Sequence, residues 1–143
     1  MFLGEFQHTI DNKGRLIIPV RFREEIGEKF IITKGLDHCL SGYPMEEWER
    51  MTDKISKLPS SNPKARQLQR FYFASASPSE LDKQGRVNIP QALRDWGNLK
   101  KGCVIVGNPK HIEIWDEDCW KAMNVVTEEN IGEISIAMEE FGF

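Results

Sequence analysis

The sequence predicts an α+β fold that is mainly β with short helices, built from two copies of one hairpin-and-helix unit that share a single core. Three observations predict this class: a motif that occurs twice, short apolar runs bounded by glycine and proline, and a chain length of 143 residues. That length suits one domain or two small fused halves. A globule of this size buries about 70% of its unfolded surface, so we expect it to fold without a disulfide or a metal.

The strongest feature of the sequence is an internal duplication. Residues 11–19 are DNKGRLIIP and residues 82–90 are DKQGRVNIP, and an arginine, Arg23 or Arg94, follows each proline by four residues. The likeness continues after a one-residue shift in these pairs: Gly35 and Gly107, Tyr43 and Trp115, Trp48 and Trp120, Met51 and Met123. Similar segments in the same order indicate a repeated structural unit.

Each copy predicts the same order of elements. The Asp-x-x-Gly segment favours a tight turn, because the Asp side chain bonds to the turn backbone and Gly tolerates a left-handed conformation. The proline fits the first position of a helix, and a later glycine suits the helix end. In the first copy we expect strands at 4–10 and 15–18, a helix from Pro19 to Gly27, a buried strand at 30–33, a last strand at 40–43 and a helix at 44–51. In the second copy we expect the same elements: strands at 74–81 and 86–89, a helix from Pro90 to Gly97, a buried strand at 103–106, a last strand at 112–115 and a helix at 116–123.

One copy of this unit cannot form a closed structure alone. Its four short strands and small helix leave sheet edges unpaired and one apolar face uncovered. The second copy supplies the partner, so the two halves are expected to intertwine rather than form independent domains. The predicted organisation is a first repeat at 1–52, a helical connector at 53–73 with its helix over 63–73, a second repeat at 74–125, and a tail at 126–143 with a helix over 127–138.

The net charge of −3 hides a strong separation of charge along the chain. Residues 113–140 contain a single base among many carboxylates, whereas residues 54–70 contain bases and no acid. The bases of the connector are Lys54, Lys57, Lys64, Arg66 and Arg70, and a second basic segment at 11–23 holds Lys13, Arg15, Arg21 and Arg23. Because a polyanion responds to local fields, the acidic total does not exclude a nucleic-acid partner, although the connector bases are equally typical of a solvated face.

Several function classes lack a sequence signal. No apolar run approaches the ~20 residues that span a bilayer, and the N-terminal segment lacks the features of a signal peptide. Motifs of nucleotide-binding loops, metalloproteases and serine hydrolases are absent, so we expect no enzyme and no cofactor. Cys39, Cys103 and Cys119 form no CxxC pair, which is typical of reduced thiols in the cytoplasm. A zinc site from His38, Cys39 and Cys103 would lack any recognised ligand spacing.

The doubled Asp-x-x-Gly-Arg-x-x-Ile-Pro motif, each copy after a short strand, resembles the AbrB-like swapped-hairpin superfamily. The double copy, the length and the opening GEFQHTIDNKGRLIIP resemble the MraZ family in particular, over nearly the whole chain. The resemblance implies two fused AbrB-like hairpin/helix units in one intertwined pseudo-two-fold barrel, and ring-like homo-oligomers. It also implies a cytoplasmic, nucleoid-associated regulator, a repressor by default, which binds direct repeats in the promoter of the bacterial division and cell-wall gene cluster. No catalytic centre, small-molecule substrate or membrane partner is implied.

The resemblance also implies which residues contact DNA. These are Lys13, Gly14 and Arg15 in the first copy and Lys83 and Arg86 in the second, with Arg21 and Arg23 added by the basic character of the first copy. The planar arginine fork matches guanine or phosphate, and lysine suits phosphate as a point charge. The lysine of the second copy lies one position earlier in its motif, so we expect unequal contacts, with more weight on Arg15 than on Arg86.

Structural alternatives accompany these assignments. Arg15 and Arg86 can pair with Asp11 and Asp82 across each turn, and the glycines of the motif favour a turn-forming role. The aromatic residues Trp48, Trp115 and Trp120 are interpreted as core or subunit contacts, and Trp96 as either. Two other functions remain open at this stage: an antitoxin-like protein that binds DNA and a toxin, and an interaction module without DNA binding.

Overall fold

A computed structural model describes residues 1–143 as eight strands and six α-helices. In chain order the elements are β1 Glu5–Thr9, β2 Arg15–Ile17, α1 Val20–Ile26, β3 Lys29–Lys34, a 3₁₀ turn Leu36–His38, β4 Leu40–Pro44, α2 Met45–Ser56, α3 Pro63–Ser75, β5 Ser77–Glu80, β6 Arg86–Asn88, α4 Gln91–Trp96, β7 Gly102–Asn108, β8 His111–Asp116, α5 Glu117–Glu129, α6 Ile131–Ala137 and a 3₁₀ turn Met138–Phe141. The predicted class, strands with short helices, is confirmed.

The sheet is shared between the two copies of the repeat. Six strands form one antiparallel sheet in the order β1-β7-β8-β4-β3-β5, and β2 pairs with β6 in a separate two-stranded ribbon. Exchanging every strand for its counterpart in the other copy only reverses this order, so the arrangement has a pseudo-two-fold axis. Strands β1 and β5 each pair with the third strand of the other copy. The predicted intertwined core is therefore confirmed.

The six-stranded sheet is open, with β1 and β5 at its edges, and the ribbon packs against the same core. A single cluster of buried apolar side chains joins the sheet, the ribbon and the first helix of each copy. It includes Leu16 and Val87 from the ribbon, Ile32 and Ile105 from the sheet, and Phe22 from α1. Both copies contribute throughout, so neither half contains a complete core of its own.

The first strand of the second copy is shorter than the sequence predicts. We expected a strand over 74–81, but α3 continues to Ser75 and β5 covers Ser77–Glu80. The hydroxyl of Ser75 donates to the carbonyl of Phe71 at 2.8 Å and lies 2.8 Å from the hydroxyl of Thr33. These bonds hold the last turn of α3 against β3, so the predicted start of this strand is wrong.

The prolines of the repeated motif lie just before the helices rather than at their first position. Pro19 and Pro90 have extended backbones, with φ/ψ of −50°/136° and −58°/150°, and α1 and α4 begin at the next residue. Their carbonyls accept the N–H groups of Phe22 at 2.8 Å and Leu93 at 3.0 Å, which closes the first turn of each helix. The predicted position of the prolines is therefore wrong by one residue.

The tail forms two helices instead of the single helix expected over 127–138. Helix α5 continues to Glu129, and Asn130 interrupts the helical backbone with φ −112° and ψ 10° before α6 begins. Large apolar side chains on this part of the chain are exposed: Val125, Val126, Ile131, Ile134, Ile136 and Met138. None of the helices combines the length and the apolar character that crossing a bilayer requires.

The half-buried residue His111 should make the stability of the fold depend on pH. The ring of His111 stacks on Tyr43 with centroids 5.0 Å apart, and burial lowers the pKa of His111 below its ordinary 6.5 despite the opposing effect of Glu113 and Glu47. In the unfolded chain this histidine takes up a proton near its ordinary pKa, whereas the folded chain resists protonation. The free energy of unfolding is therefore expected to fall as pH drops from 7 to 5.

The measurement is the urea midpoint of the parent and of His111→Gln at both pH values. The variant should lose less stability between them, and because burial and Arg23 also lower the pKa of His8, some loss should remain. An unchanged pH dependence in the variant would contradict the assignment to His111.

Candidate nucleic-acid interface

The two-stranded ribbon places the repeated motifs side by side. Its antiparallel register pairs Arg15 with Asn88, Leu16 with Val87 and Ile17 with Arg86. Leu16 and Val87 are 0% and 1% exposed and point into the core. Since side chains alternate along a strand, the remaining four point to the opposite side. These residues define what we call the ribbon face: Arg15, Ile17, Arg86 and Asn88.

The two arginines lie on one diagonal of the ribbon face. Arg15 is opposite Asn88, and Arg86 is two positions further along β6, next to Ile17 across the ribbon. Diagonal neighbours of this kind have side-chain origins about 7–8 Å apart. The fold thus brings together two motif arginines that are 71 positions apart in the sequence. Both side chains are partly exposed, Arg15 by 35% and Arg86 by 27%.

Each motif aspartate orients the arginine of its own copy. Asp11 Oδ1 accepts the backbone N–H groups of Lys13 and Arg15, both at 2.9 Å, and Asp11 Oδ2 accepts Nε of Arg15 at 2.6 Å. The second copy repeats the pattern, with 2.9 Å to both backbone groups and 2.7 Å from Asp82 to Nε of Arg86. Hydrogen bonds from the arginine backbones, followed by the arginine side chains, lower the pKa of both aspartates.

The aspartates occupy only one side of each guanidinium group. Both bonds use Nε, and the terminal nitrogens of Arg15 and Arg86 make no hydrogen bond within the chain. The structural alternative, an Asp–Arg pair across each turn, is therefore present. It does not compete with ligand binding, because two parallel donors on each arginine remain available. An exposed ion pair adds little to stability, so its main effect is to fix the direction of the side chain.

The turn glycines are required by both conformation and space. Gly14 and Gly85 have φ of 81° and 77°, in the left-handed region that other residues rarely adopt. A side chain at Gly14 would lie 2.8 Å from the carbonyl oxygen of Ile89 and 2.9 Å from Cζ of Arg94, and one at Gly85 would overlap the guanidinium of Arg23. The N–H of Ile89 also donates to the carbonyl of Gly14, at 2.8 Å.

Arg23 and Arg94 each pack against the turn glycine of the other copy. Arg23 lies against Gly85 of the other copy, and its Nε donates to the carbonyl of Ile18 at 2.8 Å. Arg94 lies against Gly14 in the reciprocal position, with a buried Nε that has no partner. The structure thus places Arg23 against the turn glycine of the other copy, and its predicted contact with DNA stays a prediction. The contact joins opposite copies and was not visible in the sequence.

Comparison with known proteins identifies the family. A family model described as "MraZ protein, putative antitoxin-like" matches residues 1–71 and 72–135. The chain belongs to the MraZ family. Three MraZ relatives, each named "Transcriptional regulator MraZ", cover at least 99% of this chain and are covered to the same extent. They come from Ligilactobacillus salivarius (48% identical), Halothermothrix orenii (46%) and Limosilactobacillus fermentum (43%).

The other predicted basic residues of this MraZ family member lie in the motif turns and on α1. Lys13 and Lys83 are exposed in the two turns and make no ion pair within the chain. Arg21 is exposed on α1, with Cζ 5.9 Å above the ring of Phe6. Lys13 and Lys83 therefore lie at the ends of the ribbon, and Arg21 lies on the helix that follows β2.

The remaining alternatives from the sequence are located elsewhere. The connector bases lie on α2, α3 and the segment between them, where Lys57 pairs with Asp53 at 2.9 Å and Arg66 donates to the carbonyl of Ser60 at 2.9 Å.

Trp115 is 4% exposed, which confirms its interpretation as a core residue. Trp96 packs within this chain, because its Nε1 donates to the carbonyls of Gly35 and Cys39. No group of three or more His, Cys, Asp or Glu side chains is arranged to hold a metal ion.

Proposed function

We propose that this chain is a sequence-specific DNA-binding transcriptional regulator, and that the ribbon face contacts DNA. The observation that carries the proposal is the pair of oriented guanidinium groups on one exposed face, each with two unpaired terminal nitrogens. Two parallel N–H groups match the O6 and N7 acceptors of guanine, or two phosphate oxygens. The names of the relatives support a role in transcription.

The shape of the ribbon fits this role. A major groove about 12 Å wide admits a two-stranded ribbon, and β2 and β6 form one outside the main sheet. Lys13 and Lys83, exposed in the turns at opposite ends of the ribbon, are proposed to bind phosphates and fix its position. Gly14 acts indirectly by forming its turn, and Arg21 adds a further phosphate contact. Arg23, whose guanidinium lies against Gly85 of the other copy, is proposed to add positive charge beside that turn.

We further propose that the chain works as a ring-like homo-oligomer on direct repeats. One ribbon face offers few contacts, whereas linked subunits make later contacts intramolecular and raise avidity by about 10² to 10⁴. Head-to-tail subunits suit repeats in one orientation, whereas a two-fold dimer suits palindromes. The exposed apolar residues of α5 and α6 support self-association, because a second subunit that covered them would remove apolar surface from water.

The proposed target is the promoter of the bacterial division and cell-wall gene cluster, and the proposed effect is repression. A large assembly on a promoter would occlude polymerase, and this activity would place the chain in the cytoplasm at the nucleoid. The proposed domain division is the one predicted from the sequence: repeats at 1–52 and 74–125, a connector at 53–73 and a tail at 126–143.

The experiment that tests the function is a mobility-shift titration of the chain on DNA from upstream of its own gene, at several salt concentrations. We expect a specific complex whose logarithmic affinity falls linearly with the logarithm of salt, with a slope of about −0.9 for each neutralised phosphate. Sedimentation of the same sample should show a closed assembly of several subunits. Equal affinity for upstream and unrelated DNA would contradict sequence-specific regulation, and no binding at moderate salt would favour an interaction module.

One alternative function has an observation in its favour. The matching family model carries the description "antitoxin-like", and the exposed apolar tail is a surface that a partner protein can bind. An antitoxin-like chain would co-purify with a small toxin protein when expressed with its neighbouring genes. Mass spectrometry of the purified complex distinguishes the two, since self-association gives a single polypeptide species.

A further inference from the structure

Two uncharged residues of the ribbon face are exposed to solvent. Ile17 is 37% exposed, which is unusual for an isoleucine in a strand, and Asn88 is exposed with a side-chain amide that makes no hydrogen bond. They occupy equivalent positions in the two copies, two residues after Arg15 and Arg86. Neither position is needed for the core, because Leu16 and Val87 already fill the inner side of the ribbon.

The two diagonals of the ribbon face differ in symmetry. The pseudo-two-fold axis passes through the Leu16–Val87 pair and exchanges Arg15 with Arg86, so the arginine diagonal has no direction. The same operation exchanges Ile17 with Asn88, one apolar and one amide. The second diagonal therefore makes the two ends of the ribbon chemically different.

We infer that Ile17 and Asn88 give the ribbon face a direction by recognising A·T base pairs beside the bases that the arginines contact. The amide of asparagine pairs in bidentate fashion with N6 and N7 of adenine, and an apolar side chain suits the methyl group of thymine. This inference rests on the proposed function, since it requires the ribbon to enter a major groove. The ligand of the ribbon face is then duplex DNA with a short, non-palindromic box.

The dimensions of the face fit a few adjacent base pairs. Residues opposite each other across the ribbon are about 4.5–5.5 Å apart at Cβ, and diagonal residues are about 7–8 Å apart. Successive base pairs are separated by about 3.4 Å along the duplex. The four side chains therefore cover two to three base-pair steps, so Asn88 and Ile17 lie within reach of the base pairs next to those contacted by Arg15 and Arg86.

A directional face explains how a nearly symmetric protomer can distinguish a box from its reverse. With arginines alone, the protomer would bind a site equally well after rotation by 180° about its pseudo-axis. Ile17 and Asn88 remove this equivalence, because the rotated complex places an unpaired amide against a thymine methyl group. Such mismatched polar groups are a common source of specificity. Subunits that each bind in one orientation suit boxes repeated in the same direction.

The test is in vitro selection from a random duplex pool with the full chain and three variants: Asn88→Ile, Ile17→Asn, and both together. The parent should select a non-palindromic box. Asn88→Ile should lower the preference for adenine at one position by about 5- to 150-fold, the range for one bidentate base contact, in favour of thymine, while keeping the positions read by the arginines. The double exchange is equivalent to the parent rotated about its pseudo-axis. It should therefore select the same duplex box in the reversed orientation and regain the affinity that each single variant loses.

The outcomes separate this inference from the function on which it rests. If the parent selects a box and both single variants select the same one, or lose affinity equally for every sequence, Ile17 and Asn88 do not set direction and only this inference is overturned. If the parent enriches no sequence at all, the proposed function itself fails. Thermal unfolding of the variants shows that they are folded, which we expect because both side chains face solvent.

Discussion

Replacing Arg15 and Arg86 together with alanine is expected to lower the affinity for upstream DNA by at least about 100-fold. Each arginine presents two parallel donors, and one bidentate base contact contributes about 1–3 kcal/mol of discrimination. The loss recurs in every subunit that contacts a repeat, so the effect on the assembly exceeds that on one protomer. Titration of labelled duplex at fixed salt measures it. Arg15→Ala should lower the affinity for upstream DNA more than Arg86→Ala does, because the bases Lys13 and Arg21 belong to the same copy as Arg15.

The matched control is Arg50→Ala. Arg50 is also a surface arginine paired with carboxylates, Glu46 and Glu47, but it lies on α2 and not on the ribbon. Its removal should leave both affinity and specificity nearly unchanged. A third variant, Arg15→Lys, keeps the charge and loses the planar fork, so it should weaken specific binding more than non-specific binding. Equal affinities of the double variant and of the parent would overturn the assignment of the ribbon face.

Changing Gly85 to alanine is expected to destabilise the fold by about 2–5 kcal/mol. A left-handed backbone costs about 1–2 kcal/mol for a residue with a side chain, and forced overpacking costs a further 1–3 kcal/mol or so. Both apply here, because Gly85 has φ of 77° and its missing side chain leaves room for the guanidinium of Arg23. The free energy of unfolding from urea titration is the measurement.

Gly132→Ala is the control for this prediction. Gly132 lies in α6 with no atom within 4 Å of the added methyl group, so alanine there should be neutral or should stabilise by up to about 1 kcal/mol. A second variant, Gly85→Ala with Arg23→Ala, removes the overlap but keeps the backbone strain. It should be more stable than the sum of the single variants predicts. If Gly85→Ala proves as stable as the parent, the packing of Arg23 under the turn is wrong.

The duplication made most of the fold predictable. A motif at 11–19 that returns at 82–90 requires the same elements twice, and the open edges of one unit require the other copy as partner. The sequence could not show that α3 extends into the predicted strand at 74–81, because that depends on Ser75 and Thr33, which meet only in the folded chain. The break in the tail helix at Asn130 was not predicted because the apolar pattern continues across it.

The candidate site was only partly predictable. The pairs of Asp11 with Arg15 and of Asp82 with Arg86 connect residues four positions apart, so the sequence alone indicates them. The contact of Arg23 with Gly85 joins residues of opposite copies, so neither local spacing nor composition reveals it.

Ile17 and Asn88 were also overlooked as site residues. Within one strand, Ile17 is typical of the core, and its exposure follows only from the register of β2 against β6. A comparison of the two copies would have drawn attention to it, because the motif has Ile17 where its repeat has Asn88.

A structure of the assembled chain bound to upstream DNA would show directly whether the ribbon face reads DNA. We expect the β2–β6 ribbon in a major groove, with terminal nitrogens of Arg15 and Arg86 within about 3 Å of base or phosphate acceptors and with both aspartate bonds to Nε retained. A complex in which DNA lies on the connector helices, while the ribbon face remains in solvent or contacts a neighbouring subunit, would contradict it.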